Sequence, residues 1–246
     1  MARIDLRDAT IYLKDGLSGT AAINDSGPPM EDDTTLTIDT IVLNTDDTDL
    51  VPIGARFTVS GETDTTQVHT VTARTPTDSG PTTDITFTPA LGPGTYADDG
   101  VITFQSQRLE IKIGQGNLTY TESDEYNYEL DRDQLDTVTR GADQPMQVSM
   151  NFVYEAITTG TGETIAPMDA IKRRGAASEW VSSATDLCEP YAVDVEVVHT
   201  PNCGTKESET TIFPDFRSES REVDFQGSSI AVSGRCNTVE PIVSRA

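Results

Sequence analysis

The sequence is poor in the residues that catalysis and metal binding use most. It contains two histidines and three cysteines among 246 residues. So few cysteines, and an odd number of them, do not describe a disulfide framework. Neither His69 nor His199 stands in a Ser-His-Asp or Cys-His pattern, and the many carboxylates single out no catalytic pair. We therefore expect no enzyme, no catalytic residue and no cofactor, and a β-sandwich hydrolase in particular has no support.

Positive charge and long apolar runs are also scarce. Lys and Arg number 17 against 41 Asp and Glu, which gives a formal net charge of −24. Such acidity repels nucleic acid phosphates and anionic membranes, although solubility or a marine or halophilic origin explains it equally well.

No stretch approaches the roughly 18 apolar residues of a membrane span. The opening MARIDLRDAT carries no hydrophobic signal region, so we expect a protein made in the cytoplasm.

The segment ELDRDQLDT offers three aspartates at positions that suggest a calcium loop. Asp131 and Asp133 occupy alternate positions, as calcium ligands do. The fifth position is Leu135, however, and the sixth is Asp136, where such a loop needs glycine. The segment therefore predicts a solvated acidic loop and no metal site.

The cysteines do not form an ordinary zinc motif. The candidate ligands would be Cys188, His199, Cys203 and Cys236. Their spacing matches no zinc knuckle, and a strand expected over 191–198 holds Cys188 too far from Cys203 for one tetrahedral site. We expect no metal. A contact or disulfide between Cys188 and Cys236 and buried free thiols both remain open.

The dominant pattern is an alternation of apolar and polar residues, which predicts antiparallel strands with one buried face. It runs through 108–113, 146–154, 191–198 and 223–232. In 146–154 the predicted buried face comprises Met146, Val148, Met150, Phe152 and Tyr154, and the polar face comprises Gln147, Ser149 and Asn151. The chain is therefore mainly β.

One segment predicts a helix, APMDAIKRRGAASEW at 166–180. Pro167 suits a first turn, Arg173 and Arg174 favour the carboxyl end, and Gly175 suits the stop.

The two glycines of LEIKIGQGNLTY, residues 109–120, raise the question of a phosphate-binding loop. A dinucleotide loop needs a third glycine and a following helix, yet residue 119 is Thr and a strand pattern follows Gly116. Gly114 and Gly116 therefore predict a hairpin turn.

The chain divides into two parts by amino-acid composition. Residues 31–106 are rich in Thr, Asp, Gly and Pro and contain short strand patterns separated by turns. The strands expected at 9–14 and 108–113 resemble the halves of an interrupted hairpin. We therefore predict a host domain of 1–30 and 107–246 with an inserted, small β-barrel-like module at 31–106.

The order of four segments resembles the core of the tail tube proteins of siphovirus-like bacteriophages. They are LEIKIGQGNLTYTESDEYNYELDRDQLDTVTRGADQPMQVSMNFVYE, APMDAIKRRGAASEWVSS, CEPYAVDVEVVHTPNCG and FPDFRSESREVDFQGSSIAVSGRCN. With the N-terminal strand, the resemblance covers most of 107–246. Each motif is modest, and the order and spacing of all four carry the resemblance.

The resemblance implies a tail-tube-type antiparallel β-sandwich with one flanking helix. Six copies would pair edge to edge into a ring with an inner barrel, and rings would stack into a tube. Double-stranded DNA would pass through it without specific binding. The implied partners are a tape measure protein and a tail terminator, and the protein would be assembled in the host cytoplasm and reside in the virion tail.

The resemblance also suggests roles for particular residues. The channel wall, or lumen, candidates are Glu110, Gln147, Ser149, Asn151 and Glu155. The connection 121–145 is too long for a simple hairpin, and we expect it to be mobile before assembly. Its apolar residues are the ring-stacking candidates Tyr126, Tyr128, Leu130, Leu135 and Val138.

A different class of function remains open. A phage decoration protein or adhesin would use the inserted module to bind host carbohydrate, although the module offers only Phe57, Phe87, Tyr96 and Phe104 as aromatic residues.

If the chain is a tail tube protein, an insert that projects outwards would collide with a contractile sheath, which favours a long, non-contractile tail.

Overall fold

The computed structural model describes residues 9–24, 27–39, 51–76, 82–97, 99–114, 116–154, 157–158, 164–184, 186, 188–200 and 208–245. The expected mainly β architecture is confirmed. The strands are β1 (Ala9–Lys14), β2 (Gly19–Ala22), β3 (Thr35–Asp39), β4 (Arg56–Val59), β5 (His69–Pro76), β6 (Thr82–Thr88), β7 (Val101–Gln105), β8 (Arg108–Ile111), β9 (Leu118–Thr121), β10 (Tyr126–Asp131), β11 (Gln134–Arg140), β12 (Gln147–Val153), β13 (Ile157–Thr158), β14 (Thr164–Ile165), β15 (Val193–His199), β16 (Glu209–Asp224), β17 (Ser229–Arg235) and β18 (Ile242–Arg245). No helix in these ranges is long and apolar enough to cross a membrane.

The chain folds as two compact units. The first, here called the sheet unit, comprises Met1–Leu13, Glu110–Glu155 and Asp194–Ala246. The second, the barrel unit, comprises Lys14–Leu109 and Ala156–Val193.

The sheet unit is built on strands in the order β8-β1-β15-β16-β17-β12-β9, with β18 also paired to β16. The neighbours β12 and β17, β12 and β9, and β16 and β17 are antiparallel. β1 lies beside β8, so the expected pairing of 9–14 with 108–113 is confirmed. One side of β12 supplies the buried side chains of Val148, Met150 and Phe152, and Met146, just before the strand, is buried as well. This alternation follows directly from the sequence pattern.

The glycine pair does not close a hairpin, which corrects the expectation. β8 and β9 stand at opposite ends of the strand order. The chain between them bonds to β12 instead, because Val153 N donates to Lys112 O and Asn151 N donates to Asn117 O, each at 2.8 Å. A Cβ on Gly116 would lie 1.9 Å from Asn151 O, so only glycine allows this approach.

The barrel unit contains strands in the order β2-β7-β4-β5-β6-β3. An antiparallel bridge between Ile23 and Ile38, with Asn24 N donating to Thr37 O at 2.8 Å, joins the two ends of this order. The sheet therefore closes on itself, and closure removes the free edges at which strands of other chains could add. Apolar side chains fill the interior, among them Leu36, Phe57, Val71, Ile85 and Ile102.

The barrel unit is larger than the predicted module at 31–106. It begins at Lys14 rather than at residue 31, because β2 pairs with β7. It also includes Ala156–Val193, which the sequence placed in the host domain. Two side chains show why: Asp15 accepts a hydrogen bond from Val181 N at 3.3 Å, and Glu179 pairs with Arg74 at 2.8 Å.

The predicted helix at 166–180 is much shorter in the structure. Helix α1 (Pro167–Lys172) begins with proline in its first turn, as expected, and a 3₁₀ turn follows at Gly175–Ala177. The helix ends early because Arg173 adopts the left-handed conformation (φ 49°), and its N–H bonds back to the last turn. Arginine rarely takes this conformation, so nothing in the sequence places the stop at Arg173 rather than at the expected Gly175, two residues later.

Candidate functional site

The connection 121–145 contains a β-hairpin, although the sequence suggested a connection too long for a simple hairpin and a solvated acidic loop at 129–137. β10 and β11 pair antiparallel over their full lengths. Arg132 and Asp133 form the two-residue turn with φ of 50° and 65°, as tight hairpin turns require. Asp133 suits that backbone, since aspartate is one of the few residues other than glycine that visit the left-handed region. The aspartates that suggested a calcium loop therefore shape the tip of a hairpin.

One face of this hairpin is apolar. Cross-strand pairs lie on the same face, and Tyr128 stands opposite Val138, and Leu130 opposite Leu135. Tyr126, two residues before Tyr128 on β10, lies on the same face. The five side chains, here called the apolar face, are Tyr126, Tyr128, Leu130, Leu135 and Val138, and they are the predicted ring-stacking residues.

A bulge makes this face continuous. Leu135 and Val138 are three residues apart, so strict alternation would place them on opposite faces. The register shifts between Glu129 and Leu130, however, which leaves Asp136 as the extra residue on β11. Leu135 and Val138 therefore point to the same side.

The apolar face is bare. Its five side chains are 47–66% exposed, and every residue of β10 and β11 is exposed. At the base, Gly141 N donates to Glu125 O at 2.7 Å, and Gln144 Nε2 donates to Glu125 Oε2 at 3.1 Å. A lone two-stranded hairpin is marginally stable in water, and a contiguous apolar surface of this kind marks an interaction site.

A second feature is the polar face of the sheet. Gln147, Ser149 and Asn151 are exposed on β12, as predicted, while the alternate residues are buried. Ser149 stands between Thr119 of β9 and Ser233 of β17. Ser220 of β16 continues this row of hydroxyl side chains. The row crosses a shallow depression of about 350 Å³.

This face carries mixed charge. Glu222 borders the depression, and Arg235 pairs with Glu219 at 3.6 Å. Of the other predicted lumen residues, Glu110 is exposed on β8 between Arg108 and Lys112, away from the β12 group in the strand order. Glu155 lies outside the described residues. The structure therefore groups Gln147, Ser149 and Asn151 and leaves Glu110 apart.

Two aromatic residues form a patch that the sequence did not predict. The rings of Tyr154 and Phe225 meet edge to face, with centroids 5.7 Å apart. Tyr154 was expected to be buried, but it is 40% exposed, because β12 ends at Val153 and the alternation ends with it. Phe225 is 76% exposed in the turn after β16. The two are distant in sequence, and only the pairing of β12 with β17 brings them together.

The two cysteines that the structure describes, Cys188 and Cys236, take no part in a site. Cys188 is an exposed free thiol and Cys236 a buried one, so the disulfide between them that the sequence left open is wrong. Burial raises the pKa of Cys236 to about 12, which keeps it protonated and unreactive. Cys203 lies outside the described residues. Within the described ranges, no three His, Cys, Asp or Glu side chains are grouped to hold a metal ion.

The barrel offers little for stacking against a sugar. Phe57, Phe87 and Phe104 lie in its interior, at most 3% exposed. Tyr96 packs against the same core, and its hydroxyl donates to Gly92 O at 2.6 Å. The aromatic residues named for a carbohydrate site therefore serve mainly as core.

The arrangement as a whole is suited to association. It combines an uncovered apolar hairpin, an exposed aromatic pair and a polar sheet face within one unit.

The chain matches no protein-family model, no curated protein and no solved structure.

Proposed function

We propose that this chain is a structural virion protein, the subunit of a phage tail tube built from stacked hexameric rings. The bare apolar face of the β10–β11 hairpin is the observation that carries the proposal. A protein that folded to act as a monomer would gain nothing from holding two tyrosines, two leucines and a valine in water. Burial of this face against a second subunit accounts for its exposure in the single chain.

The energetics favour such a cover. Burying exposed apolar surface contributes about 25 cal/mol per Å², so five half-exposed side chains offer several kcal/mol on association. The opposite face of the hairpin carries Asn127, Glu129 and Thr137, which remain solvated. An amphipathic hairpin of this kind adds little to its own monomer and much to an assembly.

The polar face of β12 supports the role as a channel wall. Ser149, Asn151 and the neighbouring hydroxyl side chains present no large apolar group to passing DNA. They carry no positive charge that would hold phosphates, and Arg235 on the same face is paired with Glu219. With a net charge of −24, the subunit as a whole repels DNA, so the genome slides through without specific binding.

The remaining parts of the proposal follow from the resemblance to tail tube proteins. The tube is that of a long, non-contractile tail and serves viral genome ejection. A tape measure protein sets its length, a tail terminator closes it, and assembly takes place in the host cytoplasm. We assign the tube-forming, tail-tube-type β-sandwich to the sheet unit.

Electron microscopy of the purified, concentrated protein tests the proposal. Rings or tubes are the expected result. The double variant Leu130→Ser/Leu135→Ser should remain folded, because both side chains are already exposed, yet it should no longer elongate. Met30→Ser is the matched control, since Met30 is 71% exposed in the barrel unit and should not matter.

Two results would contradict the proposal. The first is isolated particles at all concentrations in wild-type protein. The second is normal tubes from the double variant, which would separate the hairpin from assembly. Isolated particles that bind a glycan array would instead favour the decoration protein or adhesin.

A further inference from the structure

Two uncovered apolar surfaces of the sheet unit, the apolar face of the hairpin and the aromatic pair, lie at opposite ends of the same strands. The hairpin joins β9 to β12 at the end where Thr121 pairs with Gln147. The aromatic pair lies at the other end, where Val153 pairs with Ser229 and Tyr154 N donates to Ser228 O at 2.8 Å. Val153 lies six positions after Gln147, which is about 20 Å along a strand.

Symmetry decides how these two surfaces can be used. A contact between two hairpins would be self-complementary, would stop at a pair of copies and would leave Phe225 bare. A contact between the hairpin of one copy and the aromatic pair of the next covers both surfaces. It also leaves a new hairpin free at the far end, so the arrangement continues.

The size of the surfaces fits the same arrangement. Phe225 is 76% exposed and Tyr154 40%, and because an aromatic side chain buries about 150–250 Å², the pair offers roughly 200 Å². The five side chains of the hairpin bring the total to roughly 600 Å², well below the about 1,200 Å² of a stable interface. One such contact does not hold two copies together, whereas several side by side in a ring do.

We infer that the aromatic pair Tyr154–Phe225 is the docking site for the apolar face of the hairpin of a second copy, in a head-to-tail contact. The inference rests on the proposed self-assembly and adds the acceptor and the polarity of the stack. A tube built this way has two different ends, one with free hairpins and one with free aromatic pairs. Growth therefore shows a sharp threshold in protein concentration.

The first test replaces Phe225. Phe225→Ser should leave the fold intact, because the ring is mostly in water. It should raise the concentration needed for tubes by more than about tenfold, as the loss of a central aromatic anchor usually does. Met30→Ser should leave that concentration unchanged. Circular dichroism confirms that each variant is folded.

The second test identifies the contact itself. Leu130→Cys and Phe225→Cys are made separately in a background with Cys188→Ser and Cys203→Ser; Cys236 stays, because it is buried. Oxidation of the mixture should give a covalent dimer that links residues 130 and 225, since a disulfide forms only when the Cα atoms approach within about 7 Å. A Met30→Cys partner measures random collision.

The outcomes separate this inference from the proposed function. Wild-type tubes with no effect of Phe225→Ser, or with crosslinks between two residues 130, overturn the head-to-tail contact and leave the tube standing. Wild-type protein that never assembles overturns the proposed function itself. A dimer linked through residues 130 and 225, well above the Met30→Cys level, supports both.

Discussion

Nε2 of His69 lies 3.1 Å from both carboxylate oxygens of Glu62, in the interior of the barrel unit. Nδ1 of the same ring lies 2.8 Å from Pro89 O, which accepts only, so Nδ1 carries a proton and donates. Gly92 N also donates to Glu62 at 2.8 Å, so the pair ties the 89–92 loop to β5. Both side chains are almost completely buried.

Glu62→Ala should destabilise the barrel unit by about 3–5 kcal/mol, because it leaves a buried imidazole nitrogen without its partner. Trp180, the one tryptophan of the chain, is buried in the same unit, so its fluorescence during urea unfolding reports the change. Arg174→Ala breaks an exposed pair with Asp169 and should cost at most about 1 kcal/mol. Equal effects of the two substitutions would show that the buried pair contributes no more than a surface one.

The stability of the barrel unit should also depend on pH through Asp15. Burial raises the pKa of this carboxyl to about 7, although hydrogen bonds from Gln107 N, Val181 N and Leu17 N oppose the shift. The folded state therefore holds a proton that the unfolded chain releases near pH 4. The stabilising contribution is complete below about pH 4 and is lost as the pH rises towards 7, by about 1 kcal/mol per pH unit.

The measurement compares wild type with Asp15→Asn by urea unfolding at several pH values. The difference in stability between the two proteins should shift in favour of the variant as the pH rises from 4 to 7. Asp64→Asn is the control, because hydrogen bonds from Thr66 lower the pKa of Asp64, so its contribution changes only below about pH 4 and its difference from wild type should stay flat from pH 4 to 7. A wild-type-minus-Asp15→Asn difference that also stays flat over this range would contradict the assignment.

Local alternation allowed much of the sheet unit to be predicted. The strand expected at 146–154 is β12 at Gln147–Val153, with Met146, Val148, Met150 and Phe152 buried and Gln147, Ser149 and Asn151 exposed. The reason is physical. A strand with one face on a core alternates apolar and polar residues, and this pattern is local in sequence.

Features that depend on partners far along the chain were not predictable. Nothing local shows that Gly116 packs on the backbone of Asn151, or that β2 belongs to the barrel. The bulge at Asp136 also hid the hairpin, because it breaks the alternation between Leu135 and Val138. The aromatic pair was missed for the same kind of reason, since the turn that holds Phe225 meets β12 only in the folded chain.

Among the residues of β12, Phe152 should contribute most to the free energy of unfolding. Its side chain is 1% exposed, so Phe152→Ala should cost about 3–5 kcal/mol by leaving a cavity. Asn151→Ala, on the exposed face of the same strand, should cost no more than about 0.5 kcal/mol. Hydrogen exchange of the β12 and β17 amides measures both. Equal losses would mean that both faces of the strand are buried and that neither lines a channel.

The last prediction tests where the polar face of β12 lies in the assembled tube. Ser149 is exposed in the single chain, so Ser149→Cys, with Cys188 and Cys203 replaced by serine, should react with any maleimide before assembly. In tubes it should react with a small maleimide that enters the channel and resist one carried on a large polyethylene glycol. Thr103→Cys, exposed on β7 of the closed barrel, is the control and should accept both reagents in tubes. Equal labelling of residue 149 by the large reagent before and after assembly would place this face outside the tube and remove it from the channel wall.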